Sequence, residues 1–243
     1  MQKIIISLTI LPSRLKNSQK CIQSLLSQDT KPDAIYIWHP QNCRRDKTVV
    51  KEMPPYLQNP LIHNLKVEDM GPITKILPSL KKEWNNKDTI IITADDDVIY
   101  PKNWVSGLVE ASDKSPNSVF CYRGRNFRDK QNPLYAHTNL VGGHRVKKNT
   151  EVDIVTGTWG ALYKPQFFKE EFFDVDLSSK FFFVDDIWIS GQLKKHGVKA
   201  YVTHTPNPIT PDENNNVTSL WEINRVSDNN DYGIQYFKEY FKK

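Results

Sequence analysis

The chain has 243 residues, enough for one large domain or two small ones. Its 38% hydrophobic and 11% aromatic content excludes a disordered chain. Its 33 basic and 28 acidic residues are spread along the sequence, without the concentrated charge of a nucleic-acid binder. A net charge of +5 suits an enzyme of anionic substrates or a visitor to an anionic membrane surface.

From the N-terminus, "KIIISLTI" (3–10) is a continuous apolar run, the pattern of a buried parallel strand. After the turn "LPSR", residues 14–28 carry Leu15, Cys21, Ile22, Leu25 and Leu26 at helical spacing. "DAIYIWHP" (33–40) is a second strand, so the first forty residues read as strand, helix and parallel strand. Residues 41–60 read as a polar, proline-rich loop and "IHNLKVED" (62–69) as a third strand. "ITKILPSLKKEW" (73–84) is expected to be helical, with Pro78 against it. "DTIIITA" (88–94) is another buried strand, and "PKNWVSGLVEAS" (101–112) a helix with proline near its start. Strands alternating with helices predict an α/β open sheet, in which ligands bind beyond the carboxyl ends of the strands.

The second half is less regular. "SVFCYRGR" (118–125), "VDIVTGTWGALYKP" (152–165) and "VKAYVTHT" (198–205) read as strands of a mixed sheet, and "DDIWISGQLKKHG" (185–197) as a helix closed by Gly197. The tail begins as loop, "PNPITPDENNN", and ends in the aromatic, helical "YGIQYFKEYFKK". That last segment is expected either to pack its aromatics on the domain or to touch an anionic membrane. No dinucleotide fingerprint or P-loop occurs. Cys21, Cys43 and Cys121 stand too far apart for a zinc ribbon or a disulfide scaffold. The short apolar run at the N-terminus lacks a cleavage site, and no apolar stretch is long enough to span a bilayer. The expectation is a cytoplasmic protein that begins directly with its first strand. The sequon at 216–218 carries no meaning without secretion.

Five constellations could carry chemistry. The first is Asp95, Asp96 and Asp97 at the end of an apolar strand. Strand alternation predicts that Asp95 and Asp97 point together, with Asp96 opposed. Paired carboxylates suit a hard divalent cation, Mn²⁺ or Mg²⁺, whose shell is completed by diphosphate oxygens. The second is Asp185–Asp186, where one carboxylate is expected to cap a helix and the other to act as a base. The third is His204, at a strand end, where an imidazole could join a metal or simply be structural. In the fourth, Gly157 and Gly160 permit close backbone approach around Trp159, whose flat face suits a sugar ring. The fifth pairs Arg14 with Lys75, cations that follow strand ends and could balance diphosphate charge.

Taken in order, "ADDDVIYP", "TGTWGALYKP", "VDDIW" and "THT" resemble the motif series of a GT-A-fold glycosyltransferase. The segment "GPITK" (71–75) is similar to the "GPxTK" of bacterial enzymes akin to the inverting family-two group. The resemblance spans roughly residues 1–205. It implies one GT-A domain over 1–243: a single Rossmann-like mixed sheet flanked by helices, with a nucleotide-binding half (1–100), an acceptor half (101–205) and a tail (206–243). It implies a metal-dependent transferase moving a sugar from a nucleotide-diphosphate donor, with a leaning to UDP, onto a hydroxyl of a glycan or lipid-linked acceptor. The implied setting is surface-polysaccharide synthesis at the inner face of the plasma membrane.

Carried over residue by residue, the resemblance puts Thr9, Arg14, Lys75, Asp95 and Asp96 on the nucleotide side. Asp97 and His204 would hold the metal and Asp186 would be the base. Gly157, Trp159, Gly160 and Asp185 would meet sugar or acceptor. Asp185 departs from the pattern, being one methylene shorter than the family's glutamate. A retaining transferase, a metal-dependent nucleotidyltransferase or phosphohydrolase, and a non-catalytic sugar-nucleotide-binding protein remain as alternatives.

Overall fold

The structure is a computed structural model that describes all residues except 1, 45, 49, 51, 206, 208, 213–223 and 225–226. The sequon at 216–218 and part of the expected tail loop lie outside the described residues.

The first half follows the apolar pattern closely. Strands β1 (Ile4–Thr9), β2 (Ala34–Gln41), β3 (Ile62–Glu68) and β4 (Ile90–Ala94) pair in parallel, β1 lying between β2 and β4. Helix α1 (Gln19–Leu26) joins β1 to β2. It is shorter than the spacing predicts, because residues 12–14 form a 3-10 turn and the stretch to Ser18 follows in further turns. Pro78 does not break the next helix. The segment divides into a 3-10 turn, Gly71–Lys75, and α2 (Leu77–Lys82), with Pro78 in the first helical turn, where no amide hydrogen is required. Helix α3 (Trp104–Lys114) follows β4 and the two-residue β5 (Val98–Ile99).

The second half corrects two strand readings. The run 118–125 divides at Tyr122 into β6 (Val119–Cys121) and β7 (Arg123–Phe127), which belong to different sheets. Strand β8 (Thr138–Gly142) pairs with β7. The run 152–165 divides into three: β9 (Thr150–Val152), β10 (Ile154–Val155) and β11 (Ala161–Tyr163). Helix α4 (Asp185–Lys195) ends ahead of Gly197, which takes the left-handed conformation (φ 70°) that glycine favours after a helix. Strand β12 (Ala200–Val202) follows, and β13 (Thr210–Pro211) pairs with β5.

The result is an α/β architecture around an eight-stranded mixed sheet in the order β3-β2-β1-β4-β11-β6-β12-β9, with helices against it and a small β10-β7-β8 sheet beside it. This is compatible with a Rossmann-like arrangement. Alternation along the central strands fills both faces: Ile5 and Ile91 enter one core, Ile6, Leu8, Ile90 and Ile92 the other. Fully burying each such side chain contributes roughly 1.5–3 kcal/mol, which accounts for the continuous apolar runs.

The aromatic tail forms α5 (Asn229–Tyr236) and α6 (Lys238–Phe241). Ile234, Phe237 and Phe241 turn inward and are fully buried. Phe237 sits where Gly191 of α4 has no side chain; a Cβ there would come within 2.2 Å of its ring. Tyr232 and Tyr236 face outward, and no helix among the described residues is long and apolar enough to cross a membrane.

Candidate active site

The sheet order makes β1 and β4 neighbours although β2 and β3 intervene in sequence, so the chain reverses direction of winding between them. At such a switch point the loops leave on opposite sides and open a crevice at the carboxyl ends of the strands. A cleft of about 670 Å³ lies there, lined by Thr9 at the end of β1, Ala94 at the end of β4 and the aspartates that follow. Its other wall comes from β7, residues 156–159 and the start of α4.

The aspartates do not alternate as a strand would make them. Strand β4 ends at Ala94, and residues 95–97 form a turn. The Asp95 amide donates to Tyr100 Oη at 2.8 Å, and Cys21 Sγ donates to the Asp95 carbonyl at 3.3 Å. In that turn Asp95 accepts from Lys75 Nζ (3.0 Å), while Asp96 and Asp97 share Arg14 Nη1 at 2.7 and 2.9 Å. Asp96 is the buried member. It also accepts from the Leu11 amide, and so fixes Arg14 and the chain that follows β1. Its titration is pushed up to about 6 by burial, which Arg14 opposes and Asp97 reinforces.

Lys75 is the hinge of the arrangement. Its Nζ lies 3.0 Å from Asp95 Oδ1 and 3.3 Å from Asp185 Oδ2, and so ties the β4 turn to the start of α4. Burial works against the ammonium, but Asp185, Asp95 and Asp186 outweigh it and hold its pKa well above the ordinary lysine value. The lysine is placed through its backbone. Ser7 Oγ donates to the Lys75 carbonyl at 2.5 Å and meets Ser79 Oγ at 2.6 Å, which in turn accepts from Trp38 Nε1 at 2.7 Å.

Neither aspartate of the 185–186 pair caps its helix. Val184 occupies the cap position, and no side chain bonds there. Both carboxylates stand in the first turn, where the helix dipole favours negative charge. Asp185 turns to Lys75, and Asp186 Oδ1 accepts the Gly157 amide at 2.8 Å. Burial, then repulsion from Asp185, pushes Asp186 up to about 7, against the pull of Lys75 and the Gly157 amide.

The glycines serve the protein's own side chains. A Cβ on Gly157 would stand 2.7 Å from Lys75 Nζ and 3.3 Å from Asp186 Oδ1, and one on Gly160 2.4 Å from the Trp104 ring. Trp159 and Gly160 both have positive φ (78° and 100°), which costs a tryptophan on the order of 1–3 kcal/mol. Trp104 Nε1 stabilises this turn by donating to the Trp159 carbonyl at 2.7 Å. Trp159 itself lines the cleft. Replacing Gly157 by Ala is expected to displace the lysine head and weaken ligand binding in the cleft by about tenfold or more. Its backbone has no positive φ, so the melting temperature should change little. An equal loss of stability and ligand binding would mean that the glycine serves folding alone.

His204 is not brought to the cleft. It lies beyond β12, exposed, with Nδ1 2.9 Å from the Val146 carbonyl, and it is absent from the cleft lining. Among the described residues no three His, Cys, Asp or Glu side chains form a metal-holding group. Asp95 and Asp97 nevertheless fit a hard cation bound through two protein carboxylates and substrate oxygens. Burial, then the neighbouring Asp95, raises the Asp97 pKa, and a cation would relieve both.

Sequence reading missed the far wall. Arg123 and Arg125 alternate on β7 and both line the cleft, with Tyr135 beside them. The signal was present in "RGR": on a strand, a period of two puts both cations on one face. Eight aspartates line the cleft against four basic residues, an acidic balance that favours a cation beside an anionic ligand on the aspartate wall. Six buried atoms on the lining residues have no hydrogen-bond partner among the described residues: Thr9 Oγ1, Thr156 Oγ1, Asp185 Oδ2 (which meets Lys75 as an ion pair), and Nε of Arg14, Arg123 and Arg125. Buried polar atoms are normally satisfied, so their concentration in one cleft marks a place where a polar ligand completes the bonding. No protein-family model matches the chain, and no curated protein matches it in a sequence search.

Proposed function

We propose that the chain is a metal-dependent glycosyltransferase of GT-A type, which moves a sugar from a nucleotide diphosphate, UDP by preference, to an acceptor hydroxyl with inversion. The observation that carries this reading is the meeting, in one cleft at the β1/β4 switch point, of a divalent-cation-compatible aspartate turn with a buried carboxylate poised near neutrality. The nucleotide would lie over Thr9 and Arg14, at the carboxyl end of the parallel strands. A bound Mn²⁺ or Mg²⁺ would neutralise the leaving diphosphate, with Asp95 and Asp97 as its protein ligands.

The chain's own residues supply the rest. Asp186, oriented by the Gly157 amide, takes the proton of the attacking hydroxyl. A pKa of about 7 is close to the optimum for a base working at neutral pH. Lys75 holds Asp95 and Asp185 together, so the donor and acceptor sides keep a fixed separation. Trp159, half-exposed on the glycine loop, offers the sugar a flat face.

Thermal shift with nucleoside diphosphates, with and without Mn²⁺, tests the reading. UDP plus Mn²⁺ should raise the melting temperature well beyond either alone. No response to any nucleoside diphosphate would sink it. Product-anomer analysis by NMR separates inversion from retention.

A further inference from the structure

The two arginines of β7 have no assigned task. Gly124 between them faces the other way, where a Cβ would meet Val152 at 2.8 Å and the Ile154 carbonyl at 2.9 Å. The strand therefore lies tight on its inner side and presents both guanidinium groups to the cleft. Each is laid over a ring: Arg125 at 4.7 Å from the Tyr135 centroid, Arg123 at 5.6 Å from that of Trp159. Arg125 Nη1 also donates to Thr138 Oγ1 at 3.0 Å. Among the described residues neither arginine forms an ion pair, and both Nε atoms are buried without a partner. Asp231, which also lines the cleft, is engaged by the Tyr135 amide at 2.7 Å.

This differs from the other wall, where Arg14 and Lys75 are each held by two aspartates. Burial and the neighbouring Arg125 both disfavour the charge on Arg123, while Asp186 favours it. Two adjacent, partly buried cations without a direct ion-pair partner are unfavourable unless an anion bridges them. Planar guanidinium forks suit an oxyanion, and two of them match the charge of about −1.5 to −2 on a phosphate monoester better than the single charge of a carboxylate. The donor's diphosphate has its place on the opposite wall, over the aspartate turn.

We infer that Arg123 and Arg125 form an oxyanion subsite that selects an acceptor carrying a phosphate group near the hydroxyl that attacks. The inference rests on the transferase reading, since that reading assigns the opposite wall to the donor. It gives the arginines a specificity role: they hold the phosphate while Asp186 meets the hydroxyl.

The test is binding of three probes, glucose 6-phosphate, glucuronate and glucose, to the full chain by calorimetry, with and without saturating UDP and Mn²⁺. Wild type should bind glucose 6-phosphate most tightly, glucuronate more weakly and glucose not measurably. R123Q and R125Q should each weaken the phosphate probe by about tenfold or more while leaving UDP–Mn²⁺ binding unchanged. R123K, which keeps the charge but not the fork, should recover part of the loss and covers the case in which R123Q does not fold. Equal binding of glucose and glucose 6-phosphate by wild type overturns the inference. So does a parallel loss of UDP–Mn²⁺ affinity in both glutamine variants, which would assign the arginines to the donor. Tight, arginine-dependent phosphate binding without any UDP response would keep the subsite and remove the transferase reading. A UDP response without phosphate preference would do the reverse.

Discussion

Asp186→Asn is expected to lower transfer by about a thousandfold and, at the same time, to make the protein more stable at neutral pH. Asn keeps an oxygen for the Gly157 amide, so the geometry should survive while the proton acceptor is lost. The stability gain follows from the raised pKa. An unfolded aspartate titrates at 3.8, whereas folded Asp186 does so at about 7. Between those values the folded chain binds more protons than the unfolded one, so stability falls as pH rises through the interval. Asn has no proton to lose. The melting temperatures of variant and wild type should therefore coincide near pH 4 and diverge by a few degrees above pH 7. The same ionisation predicts that wild-type kcat/KM rises with pH and levels off above about 7. Near-normal turnover in the variant would remove Asp186 from the mechanism. A melting difference independent of pH would remove the claim that its charge is held against burial.

Gly71→Ala is expected to be severely disruptive, destabilising by on the order of 3 kcal/mol or preventing folding. Gly71 has φ 70°, and a Cβ there would lie 2.1 Å from the Phe182 carbonyl oxygen and 3.3 Å from its ring. The contact joins the turn that carries Lys75 to the turn that leads into Asp185. Gly197 provides the control. It has the same φ of 70°, with nothing within 4 Å of an added Cβ. Gly197→Ala should cost only about 1 kcal/mol, the conformational part alone. Urea midpoints of the two variants separate the terms. Equal losses would mean that the approach to Phe182 contributes nothing.

What the sequence disclosed and what it withheld divide along a physical line. The parallel strands β1, β2 and β4 were legible because both their faces are buried, so nearly every residue is apolar. The aspartate turn, Lys75 and Asp186 were legible as charges placed next to such runs, and the structure brings them into one cleft. Their directions were not legible. Alternation holds only inside a strand, and β4 stops at Ala94, one residue before the aspartates begin. Nor could local pattern show that Asp185 would turn to a lysine more than a hundred positions away rather than cap its own helix. The position of His204 depends on where the chain runs after β12, which no periodicity encodes. The inward turn of Phe237 depends on Gly191, whose role appears only once α4 and α5 are packed.

The parting of β6 from β7 at Tyr122 bears on how such a protein can diversify. The wall bearing Thr9 and the aspartate turn belongs to the eight-stranded ladder, where β1 and β4 are each paired on both sides. The wall bearing Arg123 and Arg125 belongs to a separate three-stranded ribbon with its own hydrogen bonds to β8 and β10. Substitutions on that ribbon's cleft face leave the main ladder's register untouched. One half of the cleft can vary in sequence while the other stays fixed, an arrangement in which the ligand held by the ribbon can change without rebuilding the wall that faces it.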